Sequence, residues 1–280
     1  MINRVFSYTK YLLTAKGKHG IHSPFVYDLL TNIINNDGEY YAFEKLERLR
    51  QRLLNNHQEI EVTDFGAGGI APQISQINTD KKSVQIREIS GEKKTYNRKI
   101  SDIARHSLQS EKYAKLLFRL VNHFQPKYVL ELGTSLGLTT LYQAIPIPYS
   151  KFITLEGCPN TAAIAQENFI HFKQSTIKII VGNFDETLSQ ALKEMPQLDY
   201  VFFDGNHRYE PTMRYFKQCM EHIHEGTVFI FDDIHWSKEM EQAWNEIRKD
   251  SRITISIDLF KIGIVFFRKG QVKQDFVIRF

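Results

Sequence analysis

The sequence predicts an α/β fold: a mainly parallel sheet, covered by helices on both faces and closing on an antiparallel strand pair, preceded by a mostly helical amino-terminal segment. Three observations predict it. From residue 127 onward, strand-like apolar runs alternate with amphipathic helical runs and leave no gap between them. Those strand-like runs are apolar on both faces, as buried parallel strands are. Two glycine-bearing turns, DFGAGG at residues 64–69 and ELGTSLG at residues 131–137, look like strand-to-ligand loops, because glycine lets a backbone turn sharply and approach a ligand closely.

The bulk composition fits that class. A chain of 280 residues that is 42% hydrophobic and 24% charged has enough apolar material for one large core or two modest ones. The formal charge of +4, from 36 basic and 32 acidic side chains, is too small and too interspersed to require a nucleic-acid partner. Cys158 and Cys219 fit reduced thiols rather than a disulfide framework, and their spacing is not that of a zinc site. No run approaches the roughly 20 apolar residues of a membrane span. The amino terminus lacks a cleavable apolar signal, so the expected location is the cytoplasm.

In chain order, FVYDLLTNII and YAFEKLERLRQRLL carry apolar residues at helical spacing, Phe43, Leu46, Leu49 and Leu53 in the second. Arg48 to Arg52 reads as the wet face of that helix. Residues 60–100 are polar and read as loop and short elements around DFGAGG. A helix returns after Ser110, a capping residue, with Leu116, Leu117, Leu120, Val121 and Phe124. The strands then follow as KYVLEL, KFITLE, IKIIVG, LDYVFFD, TVFIFDD, ITISID and GIVFFR. Helical runs between them include TAAIAQENFIHF after Pro159, ETLSQALKEM, PTMRYFKQCMEHI opening on Pro211, and SKEMEQAWNEI behind Ser237. The short gap before GIVFFR makes the last two strands antiparallel.

In an open parallel sheet, ligands bind beyond the carboxyl ends of the strands, so the residues there carry the chemistry. The first strand runs into Glu131, Gly133, Thr134, Ser135 and Gly137, and the second ends in Glu156. A glycine turn followed by an acid one strand later suits a nucleoside, whose ribose hydroxyls donate to the carboxylate. Ser135 stands where a dinucleotide fingerprint has its middle glycine, which disfavours a pyrophosphate cradle. The succession ELGTSLG, LEG, GNFDETL, DYVFFDGNH and VFIFDD resembles the ordered strand-end motifs of class I S-adenosylmethionine-dependent methyltransferases, across residues 110–280. The resemblance implies a Rossmann-like seven-stranded sheet with the last strand reversed. It also implies S-adenosylmethionine as cofactor, with Glu131, Gly133 and Ser135 around its methionine part, Glu156 on the ribose, Asn183 to Asp185 near the adenine, and Thr134, Gly137 and Asp204 as further cofactor-binding residues. Asp185 has a competing role as cap of the helix that carries Leu188 and Leu192.

Asp204, Asp232 and Asp233 end adjacent strands and should share one rim. Close carboxylates repel and need a cation, a shared proton or solvent. Oxygen ligands suit Mg²⁺, Mn²⁺ or Ca²⁺, and the pattern is similar to metal-dependent small-molecule O-methyltransferases of the catechol and macrolide-sugar kinds. This chain departs from the catechol enzymes in carrying Asp232-Asp233 where they have Asp-Asn, and His207 where they have a lysine. His207 and His235 are candidate bases for the acceptor hydroxyl. Arg208, Tyr209 and Trp236 line an acceptor pocket or simply pack.

The reading is therefore a cytoplasmic methyltransferase acting on a small-molecule oxygen, with Mg²⁺ as an expected assistant. Residues 1–109 form a helical segment with an irregular linker and residues 110–280 the catalytic domain. No nucleic acid and no membrane are expected as partners; the oligomeric state is open, a homodimer among the options. A NAD(P)-dependent oxidoreductase and a non-catalytic cofactor-binding or interaction module are the rival readings. DFGAGG lacks a crossover helix and a ribose-reading acid behind it. It is expected to be a turn that folds over the pocket together with Arg98 to Arg105.

Overall fold

In the computed structural model, which describes residues 2–64, 87–89 and 93–280, every strand-like run after residue 127 is a strand of one sheet. These are β4 (Tyr128–Leu132), β5 (Lys151–Glu156), β6 (Ile177–Val181), β7 (Tyr200–Phe203), β8 (Val228–Phe231), β9 (Ile255–Asp258) and β10 (Gly263–Phe266). An eighth strand, β11 (Gln274–Val277), joins them, and the order across the sheet is β11-β9-β10-β8-β7-β4-β5-β6. Strands β4 to β8 are mutually parallel, and β10 runs antiparallel between β8 and β9. The order turns back at β4, whose neighbours are β5 and β7, so a switch point opens at its carboxyl end.

Alternation along each strand sorts the core into two layers. Val129, Phe202 and Ile230 face one side and Leu130, Leu132, Val201, Phe203, Phe229 and Phe231 the other. The first side is covered by α3 (Phe43–Leu54), α5 (Glu111–Phe124), α6 (Leu138–Ala144) and α7 (Pro159–His171). The second is covered by α8 (Phe184–Lys193), α9 (Tyr209–Cys219) and α10 (Lys238–Ile247) through Leu188, Leu192, Met213, Phe216, Trp244 and Ile247. The amino-terminal helices share the first core rather than building their own. α2 (Pro24–Leu29) and the π-helical turn that continues it to Ile34 bury Val26, Leu29, Leu30 and Ile34 there. Arg119 of α5 secures that turn, donating from Nε to the Ile33 carbonyl at 2.7 Å.

Three local expectations change. Residues 60–100, read as loop and short elements, hold short strands that pair into an antiparallel sheet of β1 (Glu59–Asp64), β3 (Lys93–Lys99) and β2 (Arg87–Ile89), in the order β1-β3-β2. Its apolar signal is thin, because inside a run of charged residues the paired Val62 and Tyr96 carry the burial. α4 (Ile100–Ser107) follows directly. Arg50 does not lie on the wet face of α3: it turns inward and donates to the Gln109 carbonyl at 2.6 Å, while Arg48 and Arg52 stay exposed. β11 escaped notice because an edge strand with polar residues has little periodic signal.

β11 also holds the amino-terminal helix α1 (Ile2–Thr14). Lys16 donates its amide to Val277 at 2.8 Å, and Arg279 donates back to Lys16 at 3.1 Å. The buried Tyr11 hydroxyl donates to the Ile278 carbonyl at 2.6 Å and accepts the Phe280 amide at 3.0 Å. Tyr11→Phe leaves both backbone groups without that partner and is expected to lower stability by about 1–2 kcal/mol in chemical denaturation. An unchanged midpoint would mean that water replaces the hydroxyl. Among the described residues no helix is long and apolar enough to cross a membrane.

Candidate functional site

The strand register sets the site. Leu132 of β4 lies level with Leu155 of β5 and Phe203 of β7, and Phe203 lies level with Phe231 of β8. The residues that follow these four, Gly133, Glu156, Asp204 and Asp232, therefore emerge in one row at the carboxyl rim.

Gly133 is required by that row. Its φ is +110°, and a Cβ there would lie 2.1 Å from the Asp204 carbonyl oxygen. Ser135 takes left-handed backbone as well, at φ 49°, and Gly137 at φ 79° opens α6. The turn is held by Glu156, whose carboxylate accepts the amides of Ser135 at 2.8 Å and Cys158 at 2.9 Å. Burial pushes the Glu156 carboxyl up to about 7, against the pull of the Cys158, Ser135 and Gly157 amides. Glu131 and Thr134 point elsewhere. Glu131 is fully buried and accepts from Thr140 at 2.5 Å, Thr154 at 2.7 Å and Gln143 at 2.7 Å, so its carboxylate anchors the turn from beneath. Burial pushes it, too, up to about 7. Thr134 faces inward, with its hydroxyl 2.6 Å from that of Thr154.

On the β6 side, Asn183 is the cap of α8, accepting the Asp185 amide at 3.1 Å. That corrects the capping role expected of Asp185, which instead meets Arg214 at 2.6 Å and the Tyr215 hydroxyl at 2.8 Å. Burial would raise its carboxyl, yet Arg214 and Tyr215 hold it below the usual range. Ser237 caps α10 as expected, accepting the Met240 amide at 3.1 Å, so the preceding aspartates are free of that duty.

The rim beyond β7 and β8 brings Asp204, Asp232 and Asp233 within electrostatic reach of one another. Asp232 is 2% exposed, and its Oδ1 has no hydrogen-bond partner. Burial, and then the charge of Asp232, push the Asp204 carboxyl well above the usual range. Asp233, in left-handed backbone at φ 52°, is raised to about 6 by burial and by Asp232, with His207, Lys261 and Arg4 pulling the other way. His207 Nε2 lies 3.8 Å from Asp204 Oδ1. His235 is engaged at both nitrogens, with Asp258 at 2.8 Å and Glu241 at 3.3 Å, and stacks on Phe260. Burial alone would lower its pKa, but those carboxylates raise it. Tyr209 ties α9 to α10 through Glu239 and Glu246. Arg208 bonds Asn206, and Trp236 lies under the Arg4 guanidinium of α1, 4.8 Å from its ring centroid.

Four neighbours of the site had no motif to announce them. Lys261, between β9 and β10, has its ammonium 3.9 Å from Asp232 Oδ2. Arg4 and Tyr8 bring α1 over the acidic end, Tyr8 meeting the ring of Phe260 at 4.8 Å. Ser107, at the end of α4, lies 2.8 Å from the Ser135 hydroxyl. Lys261 alone had a usable signal: an antiparallel strand returning beside β8 must start at the rim where β8 ends, and Gly263 does pair with Phe231. The DFGAGG turn after Asp64 lies outside the described residues. β1 leads to it beside the Glu156 loop, where Thr63 donates its amide to Cys158 Sγ at 3.4 Å.

The glycine turn and Glu156 suit a nucleoside-bearing cofactor, since Glu156 is only partly covered and keeps acceptor capacity at the rim. The acids fit a divalent ion less well. Among the described residues no three acidic, histidine or cysteine side chains form a group that could hold a metal. The donor set here is a buried group of mutually repelling carboxyls with the Lys261 ammonium 3.9 Å from Asp232 Oδ2. As arranged, it does not fit the expected Mg²⁺.

Residues 130–234 match the sequence model of a family described as a methyltransferase domain. The chain is 30% identical to catechol O-methyltransferase of Bos taurus over 130 residues, covering 44% of this chain and 47% of that protein. It is 31% identical to catechol O-methyltransferase of Niastella koreensis over 128 residues, covering 45% and 57%. It thus spans about half the length of these relatives. An O-methyltransferase from Bacillus cereus, solved in complex with SAH, superposes with a TM-score of 0.51 over 70% of this chain and 96% of that one; at 18% identity the likeness is one of fold. Strand order, matched domain and relatives agree: across the part of the chain they cover, it is similar to class I S-adenosylmethionine-dependent methyltransferases.

Proposed function

We propose that the protein transfers a methyl group from S-adenosylmethionine to an oxygen of a small-molecule acceptor. The observation that carries this reading is the level row of Gly133, Glu156, Asp204 and Asp232 along one rim. The relatives named as catechol O-methyltransferases support the choice of oxygen and of a small acceptor. When bound, the cofactor supplies a methyl on a sulfonium, already an activated leaving group.

The chain's own residues bind, orient and handle the proton. Glu156 accepts from the ribose hydroxyls, the turn from Gly133 to Gly137 lies along the methionine part, and Asn183 and Asp185 flank the adenine. The acceptor sits against Asp204 and His207, and the His207 imidazole, 3.8 Å from Asp204, takes the proton of its hydroxyl. His235, held by Asp258 and Glu241, keeps the Phe260 turn in place rather than moving a proton. The reading with Mg²⁺ on Asp204, Asp232 and Asp233 is not adopted, because Lys261 stands beside the same carboxylates. The catalytic domain is assigned to residues 110–280. Residues 1–109 serve as its cover, α1 on the acceptor side and β1, β3 and α4, with Arg98 to Arg105, on the cofactor side. The oxidoreductase alternative has no support from the relatives.

Calorimetric titration with S-adenosylmethionine tests the proposal, together with transfer of a labelled methyl group to a panel of phenols and alcohols. Glu156→Gln should bind the cofactor roughly 10- to 100-fold more weakly, as expected for losing a charge-assisted acceptor. Binding of a nicotinamide dinucleotide in place of S-adenosylmethionine would sink the reading, as would wild-type affinity in Glu156→Gln.

A further inference from the structure

The acidic rim carries its own cation. Lys261 rises from the tight turn between β9 and β10, where Phe260 takes left-handed backbone at φ 68° and Asp258 Oδ1 accepts the Phe260 amide at 2.8 Å. Ile234 donates its amide to the Lys261 carbonyl at 3.1 Å, which fastens this turn to the loop of Asp232 and Asp233. The lysine side chain is 24% exposed, its Nζ 3.9 Å from Asp232 Oδ2. The Tyr113 ring lies 6.0 Å from the ammonium and is itself fixed by a hydroxyl bond to the Leu259 carbonyl at 2.8 Å. Backbone and side chain are thus both positioned, and the ammonium faces Asp204, Asp232 and Asp233, with Arg4 as the other cation and His207 as a further neighbour of the cluster.

A divalent ion would need several of these oxygens at about 2.0–2.6 Å around one point. It would then stand within a few ångströms of the ammonium, and two cations at that distance in a largely buried pocket repel strongly. We propose that Lys261 is the resident cation of this rim: its ammonium and a divalent ion exclude one another at Asp232, and the ammonium is the charge that an acceptor oxygen meets there. The last clause rests on the methyltransferase reading; the exclusion does not.

Manganese binding to the purified full chain tests it, followed by the paramagnetic resonance signal of free Mn²⁺. The wild type should bind in the millimolar range or more weakly, Lys261→Arg should match it, and Lys261→Met should bind at least roughly ten-fold more tightly. Micromolar binding of one Mn²⁺ by the wild type overturns the proposal, and so do equal affinities in the wild type and Lys261→Met. Because Lys261→Met leaves buried carboxylates uncompensated, its fold is checked by circular dichroism. If it does not fold, the wild-type thermal midpoint in about 0.1 mM Mn²⁺ decides, well below a millimolar Kd and well above a micromolar one: no change supports the exclusion and a rise overturns it. Failure of the wild type to bind S-adenosylmethionine would count against the methyltransferase reading and leave the manganese result intact.

Discussion

Gly133→Ala is expected to lower stability by about 3 kcal/mol or more and to weaken cofactor binding at least roughly ten-fold. The added Cβ would fall 2.1 Å from the Asp204 carbonyl oxygen, so main chain rather than a pliable side chain must give way. At φ +110° an alanine also pays backbone strain wherever its neighbours move. The retreat of either strand end breaks the row, because the Asp204 amide donates to the Leu132 carbonyl at 2.8 Å. For a chain of this size the thermal midpoint should fall by roughly 6–12 °C. Thermal unfolding with and without S-adenosylmethionine measures both effects, and a variant with the wild-type midpoint and affinity would show that the rim tolerates displacement.

Glu131→Gln is expected to remove a large pH dependence of stability. The Glu131 carboxyl is raised from its ordinary 4.5 to about 7, with burial as the main cause. A carboxyl whose folded pKa is raised contributes stability that is fully present below about 4.5 and is lost as the pH rises toward 7. The wild type should therefore weaken across that window by on the order of 3 kcal/mol from this group. Glu156, raised in the same direction, adds to the loss. Glutamine cannot ionise, so the variant should gain on the wild type between pH 5 and pH 8 in urea unfolding. A difference between the two proteins that does not change with pH would show that Glu131 is charged throughout, carried by Thr140, Thr154 and Gln143.

Much of the sheet was legible because buried parallel strands write their pattern twice, once on each face. KYVLEL to GIVFFR each appear where expected, and the residues at their ends follow from the order of the runs. The amino-terminal sheet was hidden for the opposite reason: β1 and β3 bury little apolar surface, and charged residues mask their alternation. The site was legible by position and less so by orientation. ELGTSLG places Glu131 and Thr134 at a ligand loop, but whether a side chain faces the ligand or the layer beneath depends on partners such as Thr140, Thr154 and Gln143, which no spacing reveals. His207 and His235 look alike in sequence, each a few residues after an acid. Asp258 and Glu241, remote or unremarked in the chain, separate them by holding His235 at both nitrogens. Lys261 has no motif at all, and only the antiparallel register of β10 with β8 places it at the rim.

The clasp between Lys16 and β11 has a consequence for the order of assembly. Tyr11 and Ile278 are 267 residues apart, so their bond closes a very long loop, and such contacts form after local ones. During synthesis α1 leaves the ribosome well before β11 and waits for that strand before it can settle over the acidic rim. A helix made early is therefore docked late, and a nascent chain leaves the acidic rim uncovered until β11 is in place.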